Sequence, residues 1–296
     1  MSSTIVVSGA TGFLGSALCE HLANHGHRVR GLCRDPAKAP RDRPPLDWWR
    51  CELPGVVDGD AFEGADVLVH CAFETRFQSA ARARSVNVDG SARLFEAARR
   101  RGVEKIVFIS SLSAHGGALS TYGRSKLEVE GLLDPARDLA LRPGFIIGEG
   151  GVFWRTAASV ARLPFVPLFY GGEQRIQTVA LEDVCRAVQI SIENELTGLL
   201  RVAEPEPVAL RDFYGSIARA TSRRPRFLSL PGELSLYGLL GAEKLGFRLP
   251  LSSDNLLGLK RLRAFDLTAD IERLGLSPAP MRESLGRIEW KKLERK

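Results

Sequence analysis

Apolar positions along the chain follow two rhythms in turn. Short runs rich in β-branched residues recur at residues 4–7, 28–33, 46–53, 65–73, 103–111 and 139–148. Bounded by Gly, Pro and polar turn residues, such runs read as buried strands. Between them the apolar residues fall at helical spacing. Leu14, Leu18 and Leu22 share one helix face, and residues 86–98 and 120–133 continue the pattern. This alternation predicts a parallel sheet covered on both faces, a doubly wound α/β domain. After residue 148 the alternation weakens. Pro164, Pro167 and Gly171-Gly172 interrupt it, another helix is expected over 178–188, and the chain from about 205 onward is helical and apolar with Pro and Gly punctuation. The predicted organisation is a sheet domain of residues 1–148, to which 174–203 return. Residues 149–173 and 204–296 then form a smaller, mostly helical substrate lobe across the carboxyl ends of the strands.

The first strand-to-helix junction carries the strongest motif. Gly9, Gly12 and Gly15 lie in Gly9-Ala-Thr-Gly-Phe-Leu-Gly15, between the run 4–7 and the helix of Leu14, Leu18 and Leu22. Strand, glycine turn and helix N-terminus form a cradle for a dinucleotide pyrophosphate, offering free N–H groups and a positive dipole end. A Cβ there would hold the phosphate off the backbone and the helix off the strand. The spacing is GxxGxxG rather than GxGxxG, and its weight comes from its placement. The cofactor-binding set at this turn is Gly9, Thr11, Gly12, Phe13, Leu14 and Gly15; a tight turn without a ligand is the weaker alternative.

About 20 residues beyond the glycines, the end of the second strand should meet the adenosine ribose, where a carboxylate would bind both hydroxyls of NAD. Here that end is Cys33, followed by Arg34 and Asp35. A missing carboxylate and a guanidinium beside it favour the 2′-phosphate of NADP. NAD stays the runner-up, because Asp35 offers a carboxylate next door. Arg34 as a plain surface cation is the simpler alternative.

Tyr122 and Lys126, four residues apart on the helix expected over 120–133, share one face. A phenol of pKa about 10 is a weak acid–base group at neutral pH, and an adjacent ammonium is expected to lower it. Ser111, after the preceding strand, would hold a carbonyl oxygen while Tyr122 gives or takes its proton and hydride passes at the nicotinamide. Lys126 would also hydrogen-bond the nicotinamide ribose. Ser113 is a second candidate for the hydroxyl, and an exposed helical Tyr/Lys pair is the plainer alternative. His70, inside the run 65–73, reads as a satisfied core histidine rather than a catalytic one.

Charge and cysteine content narrow the classes. The net charge is +6 and the pI about 9.2, which suits an anionic ligand, a nucleic acid or an acidic membrane surface. The charges are scattered, so most read as solvated faces and no nucleic-acid partner is expected. Five cysteines without a CxxC spacing read as reduced core thiols, with no metal site. No signal pattern opens the chain and no apolar run approaches the ~18 residues of a spanning helix. A cytoplasmic location with a small-molecule substrate is the expectation. Residues 234–249 are apolar with few charges, and a pocket wall or lobe core is favoured over a membrane or partner face.

Taken together the motifs resemble the extended short-chain dehydrogenases/reductases, related to the NAD-dependent epimerases/dehydratases. The matching pieces are the glycine turn 9–15, Asp66-Val-Leu-Val-His-Cys-Ala72, Asn87-Val-Asp-Gly90, Phe108-Ile-Ser-Ser111, Tyr122-Gly-Arg-Ser-Lys126, Leu141-Arg-Pro-Gly144 and Val179-Ala-Leu-Glu-Asp-Val184. They run in the family's order over nearly the whole chain, down to Leu274-Gly-Leu-Ser-Pro278. The resemblance implies a Rossmann fold with Ser111, Tyr122 and Lys126 catalytic. It also implies Asn87 in the active-site water network, Glu52 and Leu53 beside the adenine, Ala72 and Phe73 along the cofactor, and Pro143 beside the nicotinamide. Sugar-nucleotide epimerases of the family usually carry an Asn where this chain has Phe145, a Tyr where it has His115, and a longer serine-to-tyrosine segment. Those departures imply a smaller or more apolar substrate.

The leading reading is an NADP(H)-dependent oxidoreductase acting on a carbonyl or secondary alcohol. A nucleotide-sugar epimerase or dehydratase would use the same tyrosine. A non-catalytic NADP-binding scaffold is the third reading, because the second half, including residues 249–257, is similar to the branch containing the nucleotide-binding accessory subunit of respiratory complex I. A scaffold has no chemical need for Tyr122 with Lys126. A homodimer is expected only by analogy with the wider family.

Overall fold

The computed structural model describes residues 2–45, 47–75, 77, 79–247 and 251–294. In its first half the apolar runs become strands. β1 (Thr4–Ser8) passes through the glycine turn into α1 (Phe13–Asn24), and β2 (Arg28–Cys33) and β3 (Asp47–Glu52) add in parallel on one side of β1. Leu46, the expected start of the third strand, lies outside the described residues. A short strand β4 (Val56–Val57) turns back along β3. The chain then crosses over, and β5 (Val67–His70) pairs with the other side of β1. At such a switch point, open α/β sheets hold ligands beyond the carboxyl ends of their strands.

The helix expected over 86–98 begins earlier and is not uniform. Ser79 caps α2 (Ala80–Arg84), a π-helical turn at Ser85–Asp89 follows, and α3 (Gly90–Arg100) completes it. β6 (Lys105–Ile109), α4 (Thr121–Glu130) and β7 (Leu139–Pro143) continue the alternation.

Beyond them come β8 (Phe145–Ile147), α5 (Gly151–Arg162), β9 (Phe165–Phe169), β10 (Arg175–Ile176) and β11 (Thr178–Ala180). β9 forms where Pro164 and Pro167 were expected only to break the pattern, because a two-stranded ribbon tolerates a missing N–H donor. Residues 178–180, expected to be helical, are a strand beside β8, and α6 (Leu181–Glu193) starts only after it. β12 (Gly198–Val202) returns to the main sheet; β13 (Val208–Ala209), α7 (Leu210–Ala220) and β14 (Arg226–Leu230) follow. The chain ends with α8 (Gly232–Lys244), α9 (Ser253–Lys260), α10 (Thr268–Leu274), α11 (Met281–Gly286) and α12 (Lys291–Glu294).

The main sheet has the order β12-β7-β6-β5-β1-β2-β3-β4 and is parallel except for β4. The pleat sends successive side chains to opposite faces. Ile5 and Val7 meet Leu18, Leu22, Val184 and Val188 on the side of α1 and α6, whereas Val6 meets Leu68, Leu94, Phe95 and Phe108 on the other. A third cluster, with Phe153, Val160, Val166, Phe213 and Ile217, is the core of the smaller region. Gln177 clamps the two together. Its amide nitrogen donates to the carbonyls of Pro205 and Phe265, both at 3.0 Å, and its amide oxygen accepts the N–H of Phe265 at 2.9 Å. α10, expected in the lobe, instead packs on β12 and α6, with Leu274 and Leu276 buried in the sheet's core. Among the described residues no helix is long and apolar enough to cross a membrane. All five cysteines are free thiols, four of them buried and Cys71 half-buried.

Candidate active site

The glycine turn is as tight as its sequence demands. Gly9 has φ +67°, and a Cβ there would stand 2.9 Å from the Ala72 backbone. A Cβ on Gly15 would come within 2.2 Å of the Gly9 carbonyl oxygen, so α1 can approach β1 closely only without one. Gly12 is the N-cap of α1 and has no side chain to cover the first turn. Thr11 and Gly12 are exposed. An uncapped helix N-terminus behind an open glycine turn fits a pyrophosphate. Leu14 packs on the core, and the Phe13 ring lies against Gly150, where a Cβ would meet it at 2.3 Å.

At the end of β2, Cys33 is buried and Arg34 is exposed, with no side-chain partner among the described residues. Asp35 is occupied locally. It accepts the N–H of Ala37 at 3.2 Å and pairs with Lys38 at 3.0 Å, and the Lys38 bond holds its carboxyl below the usual range. Glu52 is exposed and paired with Arg50 at 3.3 Å, while Leu53 packs against Gly90.

Ser111, Tyr122 and Lys126 come together beyond the carboxyl end of β6. Ser120 caps α4 by accepting the N–H of Gly123 at 3.1 Å, and Asp254 of α9 accepts that of Thr121 at 2.6 Å. This fixes the turn carrying Tyr122. The Ser111 side chain lies close enough to the phenol to favour its charged form, and it accepts the N–H of Ser113 at 3.1 Å; Ser113 is thus held by Ser111. Lys126 is buried, and its Nζ donates to the Ile109 carbonyl at 2.6 Å. Its ammonium sits 3.8 Å from the Phe73 ring centroid, 4.6 Å from that of Phe108 and 5.9 Å from that of Tyr122. Phe73 meets Tyr122 edge-on at 5.6 Å.

One electrostatic expectation is reversed. Burial raises the Tyr122 phenol above its ordinary value, against the lowering effect of Ser111. The same burial pushes the Lys126 ammonium down to about 7. An amine that has lost part of its charge, and whose Nζ is spent on Ile109, cannot outweigh the desolvation of a phenolate.

The profile of the NAD dependent epimerase/dehydratase family matches residues 5–199. The chain belongs to this family. A ceramide reductase of Caulobacter vibrioides is 29% identical over 245 residues, 77% of this chain and 73% of its own length. A 3-diazoavenalumate denitrifying reductase of Streptomyces sp. is 25% identical over 260 residues, 78% of this chain and 85% of its own. Among solved structures, gox2253 superposes with a TM-score of 0.76 at 22% identity, covering 96% of each chain. MoeE5, solved with UDP-glucose and NAD, gives 0.76 at 22% identity over 99% of this chain and 100% of its own.

In this family member several supporting residues escaped the sequence reading. Behind Lys126, Arg142 makes two bonds to Glu130, at 2.8 and 2.5 Å, and Ser110 donates to the same carboxylate. Glu130 is four residues after Lys126 and Arg142 sits in the Leu-Arg-Pro-Gly motif, but nothing in their spacing shows that they pair. His70 is the satisfied core histidine expected. Its Nδ1 bonds Ser8 Oγ at 2.6 Å, its Nε2 bonds Ser91 Oγ at 2.8 Å, and burial pushes its pKa down to about 3. Ser8 in turn accepts the N–H groups of Cys71 and Ala72, which fixes the loop beside the glycine turn. Asn87, aimed inward from the π turn, accepts the Glu74 N–H at 2.7 Å and donates to the Glu74 carbonyl at 2.9 Å. π turns recur at functional sites because they re-aim a side chain without ending the helix. Pro143 ends β7 and accepts the N–H of Leu112 at 3.0 Å.

Proposed function

We propose that the protein is an NADP(H)-dependent reductase of its family that interconverts a carbonyl and a secondary alcohol on an apolar substrate. The observation that carries this reading is the meeting of Ser111, Tyr122 and Lys126 beyond the sheet's carboxyl ends, where the glycine turn also opens. Bound NADPH would supply the hydride to the carbonyl carbon. Ser111 donates a hydrogen bond to the carbonyl oxygen, and Tyr122 delivers the proton that makes it an alcohol. Lys126, anchored on the Ile109 carbonyl, is the group we assign to the nicotinamide ribose. Arg34, exposed and unpaired among the described residues, is the group we assign to the 2′-phosphate, while Asp35 is held by Lys38.

Substrate polarity follows from two side chains. Phe145 stacks edge-on with Phe213 at 5.3 Å, and His115 is fixed by the Arg261 carbonyl and the Gly117 N–H. Neither is free to hold a diphosphate, and the two reductases among the relatives support the same class. A nucleotide-sugar epimerase is the competing reading, favoured by the likeness to MoeE5.

Tyr122→Phe tests the proposal. It should lower kcat/KM for carbonyl reduction by about a thousandfold and leave NADPH binding within about twofold, read by fluorescence titration. Full turnover in this variant would overturn the mechanism, and stabilisation of the wild type by UDP-glucose beyond NADPH alone would favour the epimerase. In the same titration Arg34→Ala should weaken NADPH by about tenfold or more and leave NADH unchanged.

A further inference from the structure

Helix α8 buries Leu236 on its inner side but carries large apolar side chains on its outer side as well. Its acidic residues are engaged within the chain: Glu233, itself half exposed, lies 2.7 Å from Lys260 on α9 and accepts the Tyr170 hydroxyl at 3.2 Å. Glu243 accepts both the N–H and the hydroxyl of Ser253, at 2.7 and 2.6 Å. The outer side is apolar and open, with Leu234 71%, Tyr237 69% and Leu245 77% exposed, and Phe247 just beyond the helix 62% exposed. The lobe core or pocket wall expected for residues 234–249 is met on the inner side of α8, where Leu236 is buried, but not on its outer side; Leu249 lies outside the described residues. A helix on a water-facing surface normally carries polar residues on its outer side.

The strand that leads into α8 repeats the theme. Phe165 and Leu228, on β9 and β14, are exposed. Just before and at the start of β14, Arg223, Arg224 and Arg226 are exposed and have no acidic partner among the described residues, as is Lys244 at the end of α8. The segment thus combines large exposed apolar side chains, unpaired cations, a Glu233 carboxylate paired with Lys260 and a Glu243 carboxylate turned to Ser253.

We propose that this part of the lobe, α8 together with the basic residues leading into β14, docks on the surface of an anionic lipid bilayer. Apolar side chains entering the acyl boundary and cations held by headgroup phosphates are the two forces that bind interfacial helices. The unpaired arginines supply the charge complement, and no exposed acidic side chain of α8 is left without a cation to repel the headgroups. The inference rests on the lobe alone and does not depend on the cofactor or the reaction. Its consequence for the site is direct, because α9, packed on α8, carries the Asp254 that caps the Tyr122 turn.

Co-sedimentation with vesicles of phosphatidylcholine, with and without phosphatidylglycerol, is the test. The wild-type protein should bind the mixed vesicles in a salt-sensitive way and the neutral ones more weakly. Leu234→Ser with Tyr237→Ser and Leu245→Ser should lower partitioning by at least about tenfold. Arg223→Gln with Arg224→Gln and Arg226→Gln should remove the preference for phosphatidylglycerol. All six side chains are exposed, so melting temperatures should hold in both variants. Hydrogen exchange over residues 232–247 should slow when mixed vesicles are added. The proposal is overturned if the wild type stays in the supernatant or if the serine variant binds as well as the wild type. It is equally overturned if light scattering finds a wild-type dimer that the serine variant loses.

Discussion

Two helices of nearly equal length, α1 and α8, carry glycines with opposite surroundings. In α1, a methyl group on Gly15 would collide with the backbone of Gly9 and Ala10. In α8, the same group on Gly238 or Gly241 would meet nothing within 4 Å. The residues of α1 are dictated by contacts inside the chain, through the close approach that keeps its N-terminus over the nucleotide turn. Those of the outer face of α8 answer to no internal contact. A glycine or leucine there reports on what lies outside the protein.

Gly15→Ala should break the first half of this comparison most sharply. The added methyl has backbone atoms in its way, which cannot rotate aside as a side chain would, so α1 must move off β1. A loss of about 3 kcal/mol of stability, read by urea unfolding, should accompany at least about a tenfold weakening of NADPH binding. Normal binding with the full stability loss would separate helix packing from the cradle.

The next effect concerns a buried charge. Lys126 titrates near 7 in the folded protein, down from the ordinary lysine value of 10.5, mainly through burial. Between those values the unfolded chain carries the proton and the folded one does not, so this group makes stability rise as pH rises from about 7 to 10.5. Below the folded value both states are protonated and the cost of burying the charge is fully present. Lys126→Met, shaped to remain under Phe73 and Phe108, should therefore be more stable than the wild type at pH 6. The advantage, on the order of 3 kcal/mol, should shrink through the alkaline range in parallel melts. A constant difference would place the lysine in water.

How far the sequence carried differs in the same way between the two regions. The parallel sheet, the glycine turn and the convergence of Ser111, Tyr122 and Lys126 follow from local pattern, because each depends on residues close in sequence or fixed by strand order. The Arg142–Glu130–Ser110 network and the Asp254 cap depend on which distant elements touch, and no periodicity encodes that. The π turn that aims Asn87 inward sits at Ser85–Asp89, at the very start of the expected helix, so the regular apolar spacing after it read as one helix. The outer side of α8 was misjudged because apolar content was equated with burial, which holds only on the inner side, at Leu236. Hydrophobic residues report a preference for leaving water, not the surface that receives them.

The smallest effect addresses that last point and has the opposite sign. Gly241→Ala adds a methyl to an open position in the interior of an α-helix, where glycine costs roughly 0.5–1 kcal/mol relative to alanine. The variant should be more stable by about that amount in thermal unfolding of the free protein, whereas Gly15→Ala is strongly destabilised. One chemical change, made in two helices of one chain, then reads the direction of the constraint. Stabilisation in the free protein means that glycine is not held at this position by the fold. A flat outer surface at Gly238 and Gly241 would let a bilayer or another binding surface come close to the helix backbone between Leu234 and Leu245. If Gly241→Ala instead destabilises the free protein, some internal contact covers that face, and the contrast between α1 and α8 collapses.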